Sequence, residues 1–286
     1  MSFILGVDTG GTYTDAVILE DEERVIAFAK ALTTHSDLSL GIGSAIQKAV
    51  KQRNTAPEKI SLVSLSTTLA TNALVEGQGD RVALIMIGFK DSDLEKHSIF
   101  DALKGDPFLV IGGGHNYAGF EKSPLEKNKL SRWISEIKGV SAYAICSQFA
   151  VRNPEHELEA AEIIRKLTDK PVSLSHQLSA KLNGPKRALT AILNARLIAL
   201  IDLLIIKAED VIKSLGILAP LMVVRGDGAL ISAAQAREKP IETILSGPAA
   251  SIVGARWLTG ETEAIISDIG GTTCLLYTSS EPTRRI

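Results

Sequence analysis

Two short stretches of this chain carry the residue types of a phosphate site. Asp8 is followed by Thr9, Gly10, Gly11 and Thr12, and Asp268 by Ile269, Gly270, Gly271 and Thr272. In each copy an apolar run precedes the Asp and a β-like run follows the Thr. Glycines tolerate positive φ and let a backbone approach a ligand closely. Such a turn aims successive N–H groups into one concavity, which suits phosphate oxygens. Thr12 and Thr14 add hydroxyl donors. Neither Asp would face phosphate directly, because like charges repel. Asp8 and Asp268 instead suit Mg²⁺, held through water, since magnesium keeps part of its hydration shell. A single Gly-Gly between strands reads equally well as a plain hairpin turn. Recurrence 260 positions later favours two facing units that clamp one polyphosphate. It excludes a solenoid, whose period is about 20–50 residues.

Other nucleotide signatures are missing. The sequence has no Gly-x-x-x-x-Gly-Lys-Ser/Thr and no Gly-x-Gly-x-x-Gly after the first strand. The five histidines form neither His-x-His nor His-Glu-x-x-His, which speaks against a zinc-type amidase. Ser66, Thr67 and Thr68 end a strand and open a helical turn, which reads as a polar ligand site or as an N-cap. Ser246 and Gly247 precede Pro248 at a helix start, and Ala249, Ala250, Gly254 and Ala255 keep that helix thin for nucleotide access or for tight packing. Arg225 and Asp227 follow a strand end, where open α/β sheets bind ligands; a turn-stabilising Asp is the competing reading.

The elements that must position these residues alternate between strand and helix, which indicates an α/β fold. Strands are expected at 3–7, 12–19, 24–31, 61–65, 82–87, 142–146, 172–174, 221–224 and 264–269. Helices are expected at 36–52, capped by Ser36-Asp37, at 69–75, 154–167 and 185–215, and after 246–248. Residues 90–131, with Gly112-Gly113-Gly114 and several lysines, read as loops and an open surface.

The chain has 286 residues, 45% hydrophobic and 22% charged, with a net charge of −2. That length suggests about two domains, and the near-neutral charge gives no reason to expect nucleic acid or an acidic membrane. The apolar run 197–206 is interrupted by Asp202 and bracketed by Arg196 and Lys207, so it reads as a core helix and not an anchor. Two cysteines, Cys146 and Cys274, fit free thiols in a reducing compartment. A cytoplasmic protein is expected.

The paired Asp-x-Gly-Gly-Thr turns resemble the phosphate elements of the actin, sugar-kinase and heat-shock-chaperone ATPases. Within that superfamily the chain resembles the hydantoinase/oxoprolinase family, in its ATP-using A-type subunit or domain. The likeness rests on GVDTGGTYTDAVI at 6–18, STTLATNALVEG at 66–77, FAVRNPEHE at 149–157 and ALTAILNARL at 188–197. It continues with VVRGDGAL at 223–230, ILSGPAASIVGAR at 244–256 and SDIGGTT at 267–273. The family has Gly where this chain has Ser66.

The resemblance implies an actin-like (ribonuclease H-like) ATPase fold with two domains around a nucleotide cleft. The expected division is an N-terminal hydantoinase/oxoprolinase domain at 1–180, the start of a second ATPase-like domain at 181–273, and an atypical tail at 274–286. Cys274 stands where the family continues with Asp, so the second domain is expected to be incomplete and activity of this chain is left open.

The implied chemistry is ATP-dependent opening of a cyclic amide of the hydantoin or 5-oxoproline type. Asp8 and Asp268 would support Mg²⁺. Gly10, Gly11, Thr12, Thr14, Gly270, Gly271, Thr272, Ser246 and Gly247 would contact ATP, and Asp15 and Asp227 would orient substrate or water. The expected partners are the cyclic amide and a B-type hydrolase subunit, with self-association left open and neither nucleic acid nor membrane. The alternatives are the ATP-using subunit of a ketone carboxylase and a non-enzymatic nucleotide switch of the actin or chaperone type.

Overall fold

The computed structural model describes residues 2–77, 79–261, 263–269 and 274–278. In chain order the elements begin β1 Phe3–Thr9, β2 Tyr13–Glu20, β3 Arg24–Leu32, α1 Leu38–Arg53, β4 Ile60–Thr67 and α2 Leu69–Val75. There follow β5 Val82–Ile87, α3 Ile99–Leu103, β6 Phe108–Ile111, α4 Lys127–Glu136, β7 Ala142–Ser147, α5 Glu155–Leu167, β8 Val172–Leu174 and α6 Ser175–Leu178. The last are α7 Gly184–Ser214, β9 Leu221–Val224, β10 Leu230–Ser232, α8 Ala233–Glu238, α9 Ser246–Thr259, β11 Ile265–Ile269 and β12 Cys274–Thr278.

These elements form two compact units. Residues 1–77 and 201–286 make the first, and residues 78–200 the second. The sequence-based division at 180 follows chain order. The units do not, because β9 pairs in parallel with β4 and returns the chain to the first sheet.

The first unit is built on a six-stranded sheet of order β10-β9-β4-β1-β2-β3. β1 is antiparallel to β2 and parallel to β4. Its side chains alternate: Leu5 and Val7 are buried on one face, while Ile4, Gly6 and Asp8 are half-open on the other. The buried face takes α1, which presents Ile42, Ala45, Ile46 and Ala49 at helical spacing. Asp37 caps α1 by accepting the Ser39 N–H at 3.1 Å, as the sequence suggests. Gly41 lets the helix come close, since a Cβ there would stand 2.8 Å from the Leu32 carbonyl oxygen.

The second unit carries a parallel sheet of order β6-β5-β7-β8. β5 and β7 are buried on both faces, which explains their continuous apolar runs. One core layer joins Ile85, Tyr143 and Ile145 to Leu130, Ile134 and Ile164 of α4 and α5. The other joins Leu84 and Met86 to Ala188, Ala191 and Ile192 of α7. The segment 90–131 holds more structure than the loops expected of it, namely α3, β6 and the start of α4. β6 has four residues and α3 five, too few to show a period.

Among the described residues α7 is the one helix long and apolar enough to cross a membrane, with a mean hydropathy of 2.1 over its apolar window. Half of that window is buried inside the protein. Within it the Arg196 guanidinium donates to the carbonyls of Asp80 at 2.9 Å and Leu103 at 2.7 Å and to the Asp106 carboxylate at 2.7 Å. A buried charge with that many fixed partners belongs to a core helix.

Candidate active site

Asp8 is the penultimate residue of β1, and the sheet register sets its neighbours. Across β2 it faces Asp15, and across β4 it faces Ser66. The Ser66 hydroxyl donates to Asp8 Oδ1 at 2.6 Å. Asp15 in turn faces Lys30 of β3, whose ammonium lies 2.7 Å from its Oδ1 and 5.0 Å from the Tyr13 ring centre. Burial pushes the Asp8 carboxyl above the usual carboxylate range. The Ser66 hydrogen bond opposes that rise, and the Asp15 and Asp268 carboxylates add to it. Asp8 is therefore an anion held where anions are disfavoured, a setting that a cation relieves.

The turn after β1 is tied down on one side. Gly10 N–H donates to the Tyr13 carbonyl at 3.0 Å, and the Thr33 hydroxyl donates to the Gly10 carbonyl at 2.9 Å. Gly11 and Thr12 form its tip. Thr14 stands apart: it is fully buried on the α1 face, with its hydroxyl 3.0 Å from that of Thr33.

The first turn of α9 closes the site from above β4. The Ser246 hydroxyl donates to the Thr67 carbonyl at 2.9 Å and accepts the Thr67 N–H at 3.2 Å. Leu245, just before it, has φ 62°, and its N–H donates to the Thr71 hydroxyl at 2.9 Å. A bulky residue in the left-handed region persists only where its surroundings impose it. A Cβ on Gly247 would stand 3.0 Å from Thr68 Cγ2 and 3.7 Å from Asp8 Oδ1. Glycine thus brings the positive end of a 14-residue helix beside the Asp8 carboxylate.

One turn further along α9, Ser251 donates to Asp268 Oδ2 at 2.9 Å. This bond holds the second Asp on the same helix, within electrostatic reach of the first. Gly270, Gly271 and Thr272 lie outside the described residues. Ala250 and Gly254 line, with Asp8, Asp15, Lys30 and Ser66, a cavity of about 770 Å³. That size lies within the usual range of small-molecule pockets, about 300–1,000 Å³. The small residues of α9 therefore face a cavity.

Asp227 sits in the β9–β10 hairpin. Its carboxylate pairs with Arg225 and accepts the Ala229 N–H at 3.1 Å, and the Arg225 bond holds its pKa below the usual range. These are the bonds of a turn-stabilising Asp. Lys30 lies outside the quoted motifs, and Ser251 lies inside ILSGPAASIVGAR without a role that the motif itself reveals. Only the strand register, which places position 30 opposite position 15, and the helical spacing of Ser251 from Gly247 point to them.

Among the described residues no three His, Cys, Asp or Glu side chains converge as a direct metal-binding set. Asp8, with Asp268 within electrostatic reach and a hydroxyl beside it, instead fits a hydrated Mg²⁺ held through water.

Two family models match the chain: the hydantoinase/oxoprolinase N-terminal region over residues 4–168, and hydantoinase/oxoprolinase over residues 187–282. Caprolactamase subunit alpha of Pseudomonas jessenii is 29% identical over 94% of this chain and 42% of its own length. The crystal structure of the ATP-dependent caprolactamase from that organism has a TM-score of 0.79 at 26% identity, covering 97% of this chain and 44% of that one. Acetophenone carboxylase gamma subunit of Aromatoleum aromaticum is 26% identical over 94% of this chain and 41% of its own length. The nucleotide-free structure of acetone carboxylase shares the fold with a TM-score of 0.80, at 21% identity over 96% of this chain and 43% of that one. The α/β fold, of the actin-like ATPase type, is thus the one expected. The chain spans about two fifths of the length of these relatives.

Proposed function

This chain belongs to the hydantoinase/oxoprolinase family, and from that premise we propose that it is the ATP-using part of a cyclic-amide hydrolase. The observation that carries the reading is the gathering of Asp8, Ser66, Gly247 and Ser251-bound Asp268 around the α9 N-terminus. The caprolactamase relative, described as ATP-dependent, supports both the nucleotide and the substrate class.

A lactam carbonyl is a poor electrophile because its nitrogen donates into it. In the proposed reaction the amide oxygen attacks the γ-phosphorus of ATP, the bond to the β-phosphate oxygen breaks, and ADP leaves. The oxygen is then a phosphate ester and the carbon is open to water. Water adds, the ring C–N bond breaks with the nitrogen taking a proton, and a second water releases phosphate. Catalysis of the first step is positioning and charge stabilisation. Asp8 and Asp268 would hold the hydrated metal, Ser66 fixes the Asp8 rotamer, and Lys30 neutralises Asp15. The Gly11 and Thr12 amides of the turn are assigned to phosphate, the Gly10 N–H being held by the Tyr13 carbonyl, and Gly270, Gly271 and Thr272 are assigned the same role. Ser246 and Gly247 aim the α9 amides. Mg²⁺ supplies charge neutralisation of the polyphosphate when bound. A B-type subunit is the proposed site of the water-dependent steps.

The test is ATP turnover by the assembled enzyme with Asp8→Ala in this chain. Phosphate release that depends on a cyclic amide should fall by about a hundredfold or more; unchanged turnover contradicts the reading. The acetophenone carboxylase relative favours a second reading, activation of a ketone for carboxylation. Dependence of turnover on bicarbonate and a ketone would select it.

A further inference from the structure

The six-stranded sheet of the first unit ends on β10 at one side and on β3 at the other. β10 has three residues and is a poor template for a further strand. β3 has nine residues, contains no proline, and reads Val-Ile-Ala-Phe-Ala over 25–29. Phe28 and Leu32 are 71% and 65% exposed. A long, apolar strand with a free edge is the kind that pairs with a second chain.

The strand register decides which backbone groups lie on that edge. Thr33 N–H donates to the Thr12 carbonyl at 2.9 Å, so position 33 faces β2. Positions 31, 29 and 27 face the same way, opposite Thr14, Ala16 and Ile18. Phe28 and Lys30 therefore turn their N–H and carbonyl groups outward. Ile26 is an extra residue: Ile18 pairs with Ala27 and Leu19 with Val25, which leaves nothing opposite Ile26.

Side chains of α1 reach over these outward groups. Gln52 Oε1 accepts the Phe28 N–H at 3.0 Å, Lys48 Nζ donates to the Lys30 carbonyl at 3.3 Å, and Arg53 Nε donates to the Ile26 carbonyl at 3.1 Å. An acceptor meets the N–H and donors meet the carbonyls, as the groups of an incoming strand would. Lys48 and Gln52 stand one turn apart on the same side of the helix. As the helix advances from 48 to 53 the strand positions run back from 30 to 26, so helix and edge are antiparallel.

All three side chains are exposed. Water would satisfy the same backbone groups, and fixing a long side chain costs entropy. What the three residues add is occupancy of the edge. Two of them are cations, and a two-fold pairing of β3 with its copy would bring like charges together. We propose that Lys48, Gln52 and Arg53 seal the free edge of the sheet, so that a second copy of this chain does not add its β3 to this one. The inference concerns assembly and does not rest on the nucleotide reading.

The test removes the side chains and keeps the helix, by Lys48→Ala, Gln52→Ala and Arg53→Ala together, alanine being the strongest helix former. Analytical ultracentrifugation of the whole chain should show a concentration-dependent species of twice the parent's mass. Amide hydrogen exchange in that species should slow at Ile26, Phe28 and Lys30. Gln52→Ala alone, at a concentration too low for association, should speed exchange of the Phe28 amide about tenfold or more and leave the Ala27 and Ala29 amides, which face β2, unchanged. Sedimentation of the triple variant identical to the parent's, association without slowed exchange at those amides, or a Phe28 amide indifferent to Gln52 would overturn the proposal.

Discussion

A single added methyl group on Gly247 would stand 3.7 Å from Asp8 Oδ1, so the first turn of α9 rests against the carboxylate near the end of β1. The two residues are 239 positions apart and meet because Ser246 is bonded to Thr67 in both directions. Everything assigned to the nucleotide depends on this closure.

Gly247→Val is therefore expected to weaken Mg²⁺-ATP binding by about tenfold or more, since its branches reach into the space beside Asp8. Calorimetric titration measures the affinity. Circular dichroism should show the fold kept, because Gly247 lacks positive φ and its nearest neighbour is a side-chain methyl.

Asp8→Asn should make the protein more heat-stable at neutral pH while weakening nucleotide binding about tenfold or more. The Asp8 carboxyl has a raised pKa in the fold, so its charged form opposes folding. Its contribution to stability is full below the unfolded carboxylate value and is lost as pH rises through the raised folded value. The mutant's gain, about one to a few degrees in Tm, should shrink as pH falls below 4. A lower Tm for the mutant at pH 7 would refute this account of Asp8.

His115 gives the second unit an acid-sensitive point. Its ring is fully buried, neither nitrogen has a hydrogen-bond partner, and the His156 ring lies 4.5 Å away. Burial first, then His156, holds its pKa below the ordinary value, while Glu155 and Glu121 partly oppose the shift. The unfolded chain takes up the proton more readily, so stability falls as pH drops from about 6.5 toward the lowered folded value. Urea unfolding at pH 7 and pH 5 should show that loss, and His115→Phe should reduce it.

Glu157 is buried and accepts from the Ser147 N–H, the Ser175 hydroxyl at 2.6 Å, and the His176 N–H and ring nitrogen. Arg187, also buried, donates to the same Ser175 oxygen at 3.2 Å. Glu157→Ala leaves these groups without their acceptor and should cost about 3–5 kcal/mol. Glu157→Gln, which keeps an acceptor, should cost less. Equal stability of the alanine variant and the parent would show that the network contributes little.

Sequence reasoning reached the elements with a strong period. The alternation of β1, the capped amphipathic α1 and the long α7 up to Gly216 are legible from residue types alone. The paired Asp-x-Gly-Gly-Thr motifs pointed to Asp8 and Asp268 because their chemistry is local. What was not legible depends on register and on returns of the chain. Lys30 joins the site only because β3 pairs with β2 in one register. Thr14 leaves it because neighbouring residues of a strand face opposite ways, and Thr14 shares the face of Ala16 and Ile18, toward α1. β6 is too short to show a pattern, and β9 joins the first sheet by a long-range pairing that no local signal encodes.

The most direct test of the shared nucleotide is a double-mutant cycle on Asp8 and Asp268, read as the dissociation constant of Mg²⁺-ATP from this chain. Each alanine variant alone should weaken binding about tenfold or more, and the double variant should be little worse than either, a coupling above about 1 kcal/mol. Losses that simply add, or a variant that binds as tightly as the parent, would show that the two carboxylates do not hold one metal-bound triphosphate.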